Sequence, residues 1–325
     1  MEEAGLAVER DAWGNLLGRR SGSDPGAPEL WTGSHLDTVP AGGRFDGALG
    51  VVAGLEAVDR LQTPVSTVVV VVFRDEEGSA YAPGCLGSRA RCGVVERGVL
   101  EALGLPPPTP GVVLPEVFLE VHIEQSPVLE RAGLPLGVVT SIAGQARGKV
   151  EFTGAPRHAG TTPMDAREDA LCSAAEFVLH ARDAAARIEG AVATVGQLEV
   201  DPGAANVVPG RVTLTVDARA PDQLRLDSLL EEIGAKLAVT SPVAMDAAVT
   251  GLLGEEIERL GLPVLELASG AGHDAGILAA SGVRAGMLFV RSAGGISHAP
   301  EEHTSPEDIA RCVEALAATL GRLAL

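Results

Sequence analysis

Apolar and polar positions in the first third of the chain follow two alternating rhythms. Leu30-Trp31-Thr32 runs into Gly33-Ser34-His35, an apolar strand that ends in polar residues. Val51, Val52, Leu55, Val58 and Leu61 then recur at helical spacing. Thr67 to Phe73 is β-branched and apolar, the pattern of a parallel strand buried on both faces, and it stops abruptly at Arg74-Asp75-Glu76-Glu77-Gly78. Val117 to Glu124 alternates, with Phe118, Glu120, His122 and Glu124 on one face. Strand, helix and strand in this order predict an α/β fold with a doubly wound mixed sheet.

From about Gly148 the pattern changes. Strands are predicted over Lys149 to Thr153, Ala191 to Val200 and Arg211 to Ala218, and helices over Asp165 to Arg187 and Gln223 to Leu237. Pro242 to Ala247 reads as a last strand. That β-α-β-β-α-β order is the split βαβ motif, an α+β domain inserted into the first. The α/β pattern resumes with Gly251 to Leu260, Val264 to Leu267 and Gly286 to Val290. A closing helix begins at Ser305-Pro306-Glu307-Asp308, a capping box with proline at the first helical position, and buries Ile309, Cys312, Val313, Leu316 and Leu320. The expected organisation is one domain over residues 1–140 and 248–325, and an insertion over 141–247. Pro106 to Pro115 reads as a surface loop.

Composition narrows the partners. The chain has 325 residues, 46% hydrophobic and 21% charged, enough apolar material for two cores and too little charge for wholesale disorder. Lysine plus arginine is 25 against 44 acidic residues, a net charge of −19, which repels phosphate backbones and anionic membranes. No nucleic acid and no membrane are therefore expected as partners. The longest apolar run, Val68 to Phe73, cannot span a bilayer, and Met1-Glu2-Glu3-Ala4-Gly5 opens no signal peptide. Cys85, Cys92, Cys172 and Cys312 form no Cys-x-x-Cys pair, so buried or inert cytoplasmic thiols are expected. Only Asn15 and Asn206 supply asparagine, and only Lys149 and Lys236 lysine, a bias that a GC-rich genome or a hot habitat produces.

In open α/β sheets ligands bind beyond the carboxyl ends of the strands. His35, Glu76, Glu77, His122 and His298 all fall at or just past such ends, and Asp46 sits in the glycine-rich turn Gly42-Gly43-Arg44-Phe45-Asp46-Gly47. Imidazole with carboxylate is a ligand set for zinc, manganese, cobalt or nickel. Asp37, two residues after His35, can accept the other imidazole N–H and fix its tautomer. Glu76 and Glu77 repel when both are ionised, so a metal or Arg74 must offset them, or one must keep its proton. A metal with one glutamate bound and the other free to take a proton from water satisfies this.

These motifs resemble one family. Gly33-Ser34-His35-Leu36-Asp37-Thr38-Val39-Pro40, continuing to Gly47, is similar to the first metal motif of the N-carbamoyl-L-amino acid hydrolases, allantoate amidohydrolases and β-ureidopropionases. These enzymes lie within a wider clan of dinuclear-metal aminoacylases and carboxypeptidases. Asp75-Glu76-Glu77-Gly78-Ser79, Gly87-Ser88-Arg89-Ala90, His122-Ile123-Glu124-Gln125 and His158-Ala159-Gly160-Thr161-Thr162-Pro163-Met164 follow in the family's order. Asn206-Val207-Val208-Pro209-Gly210, Ser269 to Ala275 and Gly295-Ile296-Ser297-His298 complete the set. His122 with Gln125 favours the carbamoyl branch, because peptidase relatives usually place an acidic ligand where His122 stands.

The resemblance implies two divalent ions per subunit bridged by Asp46, one also held by His35 and His122, the other by Glu77 and His298. It implies Glu76 as general base and then general acid, and His158 as stabiliser of the oxyanion. Asn206 and Arg219, with Gln125 alongside, would grip the carboxylate of a small anionic carbamoyl or ureido substrate. The inserted domain would act as a lid and dimerisation domain, giving a homodimer. The implied reaction cleaves the carbamoyl C–N bond of N-carbamoyl-L-amino acids to amino acid, CO2 and ammonia. Allantoate amidohydrolysis is the alternative within the class, and an inactive metal- or ureide-binding dimer the alternative outside it. Members usually begin earlier, with helices on the catalytic domain, and Met1 to Leu6 reads like the tail of one. Ala80-Tyr81 replaces the usual Arg-Phe, and Ser126 a usual glycine. Gly295-Ile296-Ser297-His298-Ala299 misses the nucleophile elbow of a serine hydrolase by its last residue, with Pro300 obstructing the next helix. Gly270-x-Gly272-x-x-x-Gly276 has one residue too many for a dinucleotide loop.

Overall fold

The computed structural model describes residues 1–109 and 111–325; Pro110, inside the proline-rich stretch, lies outside the described residues. The chain divides into two compact units, Met1–Ser141 with Ala244–Leu325, and Ile142–Val243.

The first unit is built on a large mixed sheet. Its strands are β1 (Ala7–Arg10), β2 (Leu16–Arg20), β3 (Leu30–His35), β4 (Val68–Phe73), β5 (Val117–Ile123) and β6 (Leu136–Ile142). The second unit contributes β7 (Gly144–Thr153), β8 (Val192–Asp201), β9 (Arg211–Ala220) and β10 (Ala238–Thr240) to a separate sheet. The large sheet then adds β11 (Val243–Ala244), β12 (Glu266–Ser269) and β13 (Arg284–Val290). Its spatial order is β1-β2-β4-β3-β5-β13-β6-β11, with β12 beside β6. The four central strands β4, β3, β5 and β13 run parallel, and β2 and β6 flank them antiparallel. Every residue of β3, β4 and β5 is buried, because helices cover both faces. One face carries the helices Ala48–Arg60, Ala247–Arg259 and Pro306–Leu323 on a core that includes Val70, Leu119, Val121, Leu253 and Leu316. The other carries Leu86–Arg91 and Asp274–Ala280, which pack together. The mixed α/β fold expected from the pattern is what the sheet shows.

The parallel strands share a direction, so their carboxyl ends meet along one edge. His35 ends β3, Arg74-Asp75-Glu76-Glu77 follow β4, and His122 and Gln125 lie at and after β5. Glycine 47 then turns the chain at φ 63 into the first helix, and a Cβ there would sit 2.4 Å from the His35 ring. Only glycine lets that helix start against the imidazole.

The second unit has strand order β10-β7-β9-β8, antiparallel throughout, with the helices Ala170–Arg187 and Gln223–Ile233 packed on the core formed by Ala146, Leu214, Val216 and Ala218. Three sequence readings here need correction. The last strand is Ala238–Thr240 rather than Pro242 to Ala247: Pro242 has no N–H for a ladder, and Asp246 caps the next helix by accepting from Ala248 and Val249. The first helix starts at Ala170, not Asp165, because Asp169 is its cap and accepts from Leu171 and Cys172. The second ends at Ile233, not Leu237, where Gly234 takes a left-handed conformation at φ 70. In the first unit the Ser305 cap forms as expected, accepting from the Asp308 N–H at 3.1 Å. The Asp308 carboxylate, however, turns to Arg291 instead of completing the box.

Candidate active site

Six side chains, two from the ends of β3 and β5 and four from three loops, converge at the carboxyl edge of the parallel strands. His122 Nε2 lies 3.0 Å from Asp46 Oδ1, and His35 Nε2 lies 3.8 Å from the same oxygen. The second Asp46 oxygen, Oδ2, is 3.3 Å from His298 Nε2, which is 3.4 Å from Glu77 Oε2. Asp46 thus belongs to two ligand groups, His35-Asp46-His122 and Asp46-Glu77-His298, each with its donor atoms within 4.8 Å of one another. Glu76 stands beside them, with Oε2 3.8 Å from His35 Nε2. The walls enclose a cavity of about 120 Å³, lined by Asp46, Glu76, Glu77, His122 and His298 among others. That is room for small ions and a few waters at about 30 Å³ each.

The donor atoms are prepared for cations. His35 Nδ1 donates to the Asp37 carbonyl and His122 Nδ1 to the Ile123 carbonyl, both at 2.9 Å, so each ring turns Nε2 inward. The two Nε2 atoms face each other at 3.4 Å, and Glu77 Oε1 is buried without a hydrogen-bond partner. Facing imidazole nitrogens and an orphaned carboxylate oxygen fit a divalent cation better than they fit one another. Arg74 does not offset the Glu76-Glu77 pair; its guanidinium donates instead to the Trp13 carbonyl.

Charge follows from this geometry. Burial pushes the Asp46 pKa up, but the hydrogen bond and charge of His122, with His35, overcome it and hold the group well below the usual carboxylate range. Burial works against a charged His122, yet Asp46 and Glu120 raise that imidazole to about 9. Burial, with Glu120 and Glu77 nearby, lifts Glu76 to about 8. Burial and Asp46 also raise Glu77. Burial and His122 lower His35.

A proton on His122 must leave before a cation can take its Nε2. Below about pH 9 the metal-free protein holds that proton, so metal binding is expected to release it and to tighten as pH rises toward 9. Calorimetric titration at pH 7 in buffers of different ionisation enthalpy measures the release. A binding heat that is independent of the buffer contradicts the assignment.

Asp37 is in place, with one difference from the sequence reading. Its backbone carbonyl, not its carboxylate, accepts from His35; the carboxylate lies 3.8 Å from that nitrogen and accepts from the Glu77 N–H at 3.0 Å. A two-residue spacing brings either oxygen within reach of the ring. Gln125 Nε2 donates to Asp46 Oδ2 at 3.0 Å and to Ser297 Oγ at 3.1 Å, and so sits at the ligand cluster. His158, Asn206 and Arg219 lie on the second unit. His158 pairs with Val207 in an isolated bridge beside Asn206, and its Nδ1 accepts from the Gly160 N–H, leaving Nε2–H as donor. Arg219 makes a two-pronged contact with Asp217, at 2.9 Å for both Nε and Nη2.

Sequence reasoning missed several partners. Glu302, buried, accepts the N–H groups of Phe45 and Asp46 and the hydroxyl of Ser297, so it clamps the backbone of Asp46. Glu120 accepts from Ser34 Oγ and the Ala275 N–H beneath His122. His273, in a motif quoted for the family, packs edge-on against His122 with ring centres 4.5 Å apart. Its distance in sequence from His122 hides that contact. Among the described residues, the non-glycine positions with positive φ are Ala41, Asp75, Cys85, Gln125 and His298, and every one lies in a loop that forms or adjoins the site. Such strain collects where side chains must be aimed.

The sequence pattern of peptidase family M20/M25/M40 matches residues 31–322. The chain belongs to that family. Among M20 relatives, an N-carbamoyl-L-amino acid amidohydrolase of Geobacillus stearothermophilus is 39% identical, over 100% of this chain and 88% of that protein. Allantoate deiminase 1 of Glycine max is 34% identical, over 95% of this chain and 78% of that protein. A solved structure of a hydantoinase/carbamoylase family amidase from Burkholderia ambifaria superposes with a TM-score of 0.89 at 32% identity, covering 100% of this chain and 87% of that one. The M20 membership carries the hydrolase class, and the ligand groups around Asp46 suit the metal dependence that goes with it.

Proposed function

We propose that this protein hydrolyses the carbamoyl C–N bond of N-carbamoyl-L-amino acids, releasing amino acid, CO2 and ammonia, with two divalent ions held at Asp46. The observation that carries the reading is the division of one carboxylate between two ligand groups, with a mostly buried glutamate side chain, 11% exposed, beside them. The 39% identity to a relative named for this activity supports the choice of substrate.

His35 and His122 would hold one ion together with Asp46, and Glu77 and His298 the other with the same carboxylate. Nitrogen and carboxylate donors accept zinc, manganese, cobalt or nickel. Bound there, such ions supply Lewis acidity, making a water more acidic and a carbonyl more electrophilic. The remaining work falls to the chain. Glu76 takes the proton of the attacking water and passes it to the departing amino nitrogen of the substrate. Its burial keeps the carboxyl basic enough to take that proton near neutral pH. His158 Nε2–H is the donor for the oxygen that gains charge on the carbamoyl carbon.

Arg219 and Asn206 orient the substrate carboxylate. Arg147 and Arg219 both pair with Asp217, whose burial is outweighed by the two guanidiniums, so two positive groups meet one negative one. Two guanidiniums thus gather at one point of a chain whose net charge is −19. Lysine could not reproduce a planar two-pronged contact with a carboxylate. A homodimer through the second unit belongs to the same reading. Its edge strand β8 exposes Val192 and Leu198, a surface that a second copy would cover.

Reconstitution with zinc, manganese, cobalt or nickel, followed by ammonia release from N-carbamoyl-L-amino acids, β-ureido acids and allantoate, tests the proposal. Metal-dependent ammonia and free amino acid from the carbamoyl substrates are expected. A higher kcat/KM on allantoate moves the assignment to allantoate amidohydrolysis, and no turnover with any metal sinks both.

A further inference from the structure

The loop after β4 is closed more tightly than a surface turn requires. Its two ends are zipped: Cys85 N–H donates to the Glu76 carbonyl at 2.9 Å, Leu86 to Asp75 at 3.1 Å, and Gly87 to Arg74 at 2.8 Å. Asn15, fully buried, braces both ends, accepting from the Arg74 N–H and donating to the Gly87 carbonyl. The Asp75 carboxylate gathers Ser79 Oγ and the N–H groups of Ala80 and Tyr81 across the middle. Gly84, at φ 73, is required for the closure, since a Cβ there would lie 2.4 Å from the Glu76 carbonyl oxygen.

Cys85 is the product of this construction. It is a non-glycine residue in the left-handed region, at φ 52 and ψ 38, and only 5% exposed. The strained backbone aims Sγ at Glu76 Oε1, 3.4 Å away, a normal sulfur hydrogen-bond length. The other oxygen, Oε2, looks toward His35 and the ligand cluster. Burial and the Glu76 charge push the thiol pKa well up, so the S–H remains a donor.

We propose that Cys85 is a positioning residue for Glu76: its thiol tethers one carboxylate oxygen and leaves the other directed at the water to be deprotonated. The proposal rests on Glu76 as the proton carrier. An untethered glutamate could rotate about its side-chain torsions and spend most of its time misaligned, and small misplacements of a reacting group are costly.

Four variants of the metal-loaded enzyme test it: Cys85→Gly, Cys85→Ala, Cys85→Ser and Glu76→Gln. Glycine removes the thiol and tolerates the left-handed backbone, so it separates the tether from folding. With one hydrogen bond to a charged group lost, kcat should fall about tenfold in the glycine and alanine variants, with KM within about twofold and metal content unchanged. Cys85→Ser keeps a donor and should recover to within about threefold of wild type. The proposal is overturned by undiminished kcat in both donor-free variants, by a serine variant as slow as alanine, or by metal loss in Cys85→Gly. If Glu76→Gln keeps its turnover, the proton-carrier reading fails and this proposal with it. If Glu76→Gln is inactive while the donor-free variants are undiminished, only the Cys85 assignment falls.

Discussion

Asp46→Asn is expected to empty both ligand groups at once and to take turnover below detection. The side chain keeps its shape but loses the charge, and the carboxylate that the two groups share becomes an amide with a single oxygen. An outer-shell partner costs about 10–100-fold in metal affinity, and a shared ligand should cost more than that. Elemental analysis after dialysis reads the metal directly. The variant also has a readout that needs no turnover. In the metal-free protein Asp46 is the main reason that His122 titrates near 9 despite burial. With the carboxylate gone, burial dominates, and the His122 pKa should drop toward or below its ordinary 6.5 in an NMR titration of the ring. Full metal content together with an unmoved His122 would show that Asp46 does not organise the site.

Asp46 was readable from sequence because glycine-rich turns after strands are where an α/β sheet exposes side chains to ligand. The same argument located His35, Glu77, His122 and His298, since each lies at or beyond the end of a strand whose apolar pattern is unmistakable. Val68 to Phe73 is a clear case: six buried positions in a row and then Asp75-Glu76-Glu77. What was not readable depended on the third dimension. Glu302 is 256 residues from the Asp46 N–H it accepts, and nothing in its local sequence marks it as a clamp. Cys85 looked like an inert thiol, and its role depends on a left-handed backbone that few cysteines adopt. Which cysteines are buried depends on the fold as well: Cys85 and Cys312 are buried and Cys172 is exposed. The β10 boundary failed for a local reason. Val243 and Ala244 are apolar enough for a strand, but they pair in the large sheet, and Pro242 separates them from β10.

Glu76→Gln should leave both ions bound and lower kcat by about 10²–10⁴-fold, the range ascribed to a positioned proton carrier. Glutamine keeps the volume, and its carbonyl oxygen can still accept from the Cys85 thiol, so the cavity need not rearrange. What it cannot do is accept and return a proton. The pH dependence separates this from a loss of packing. Burial raises Glu76 to about 8 in the metal-free protein, with Glu120 and Glu77 adding to it. Cations beside it favour the carboxylate and bring that value down, so the working pKa lies below 8. A base must be ionised to act, so kcat in the wild-type enzyme should fall as pH drops through that value. The glutamine variant, with nothing left to protonate there, should lose this acid limb from its residual activity. A variant that is slow yet keeps the wild-type limb would assign the titrating base to another group, and Glu76 to holding the cavity open.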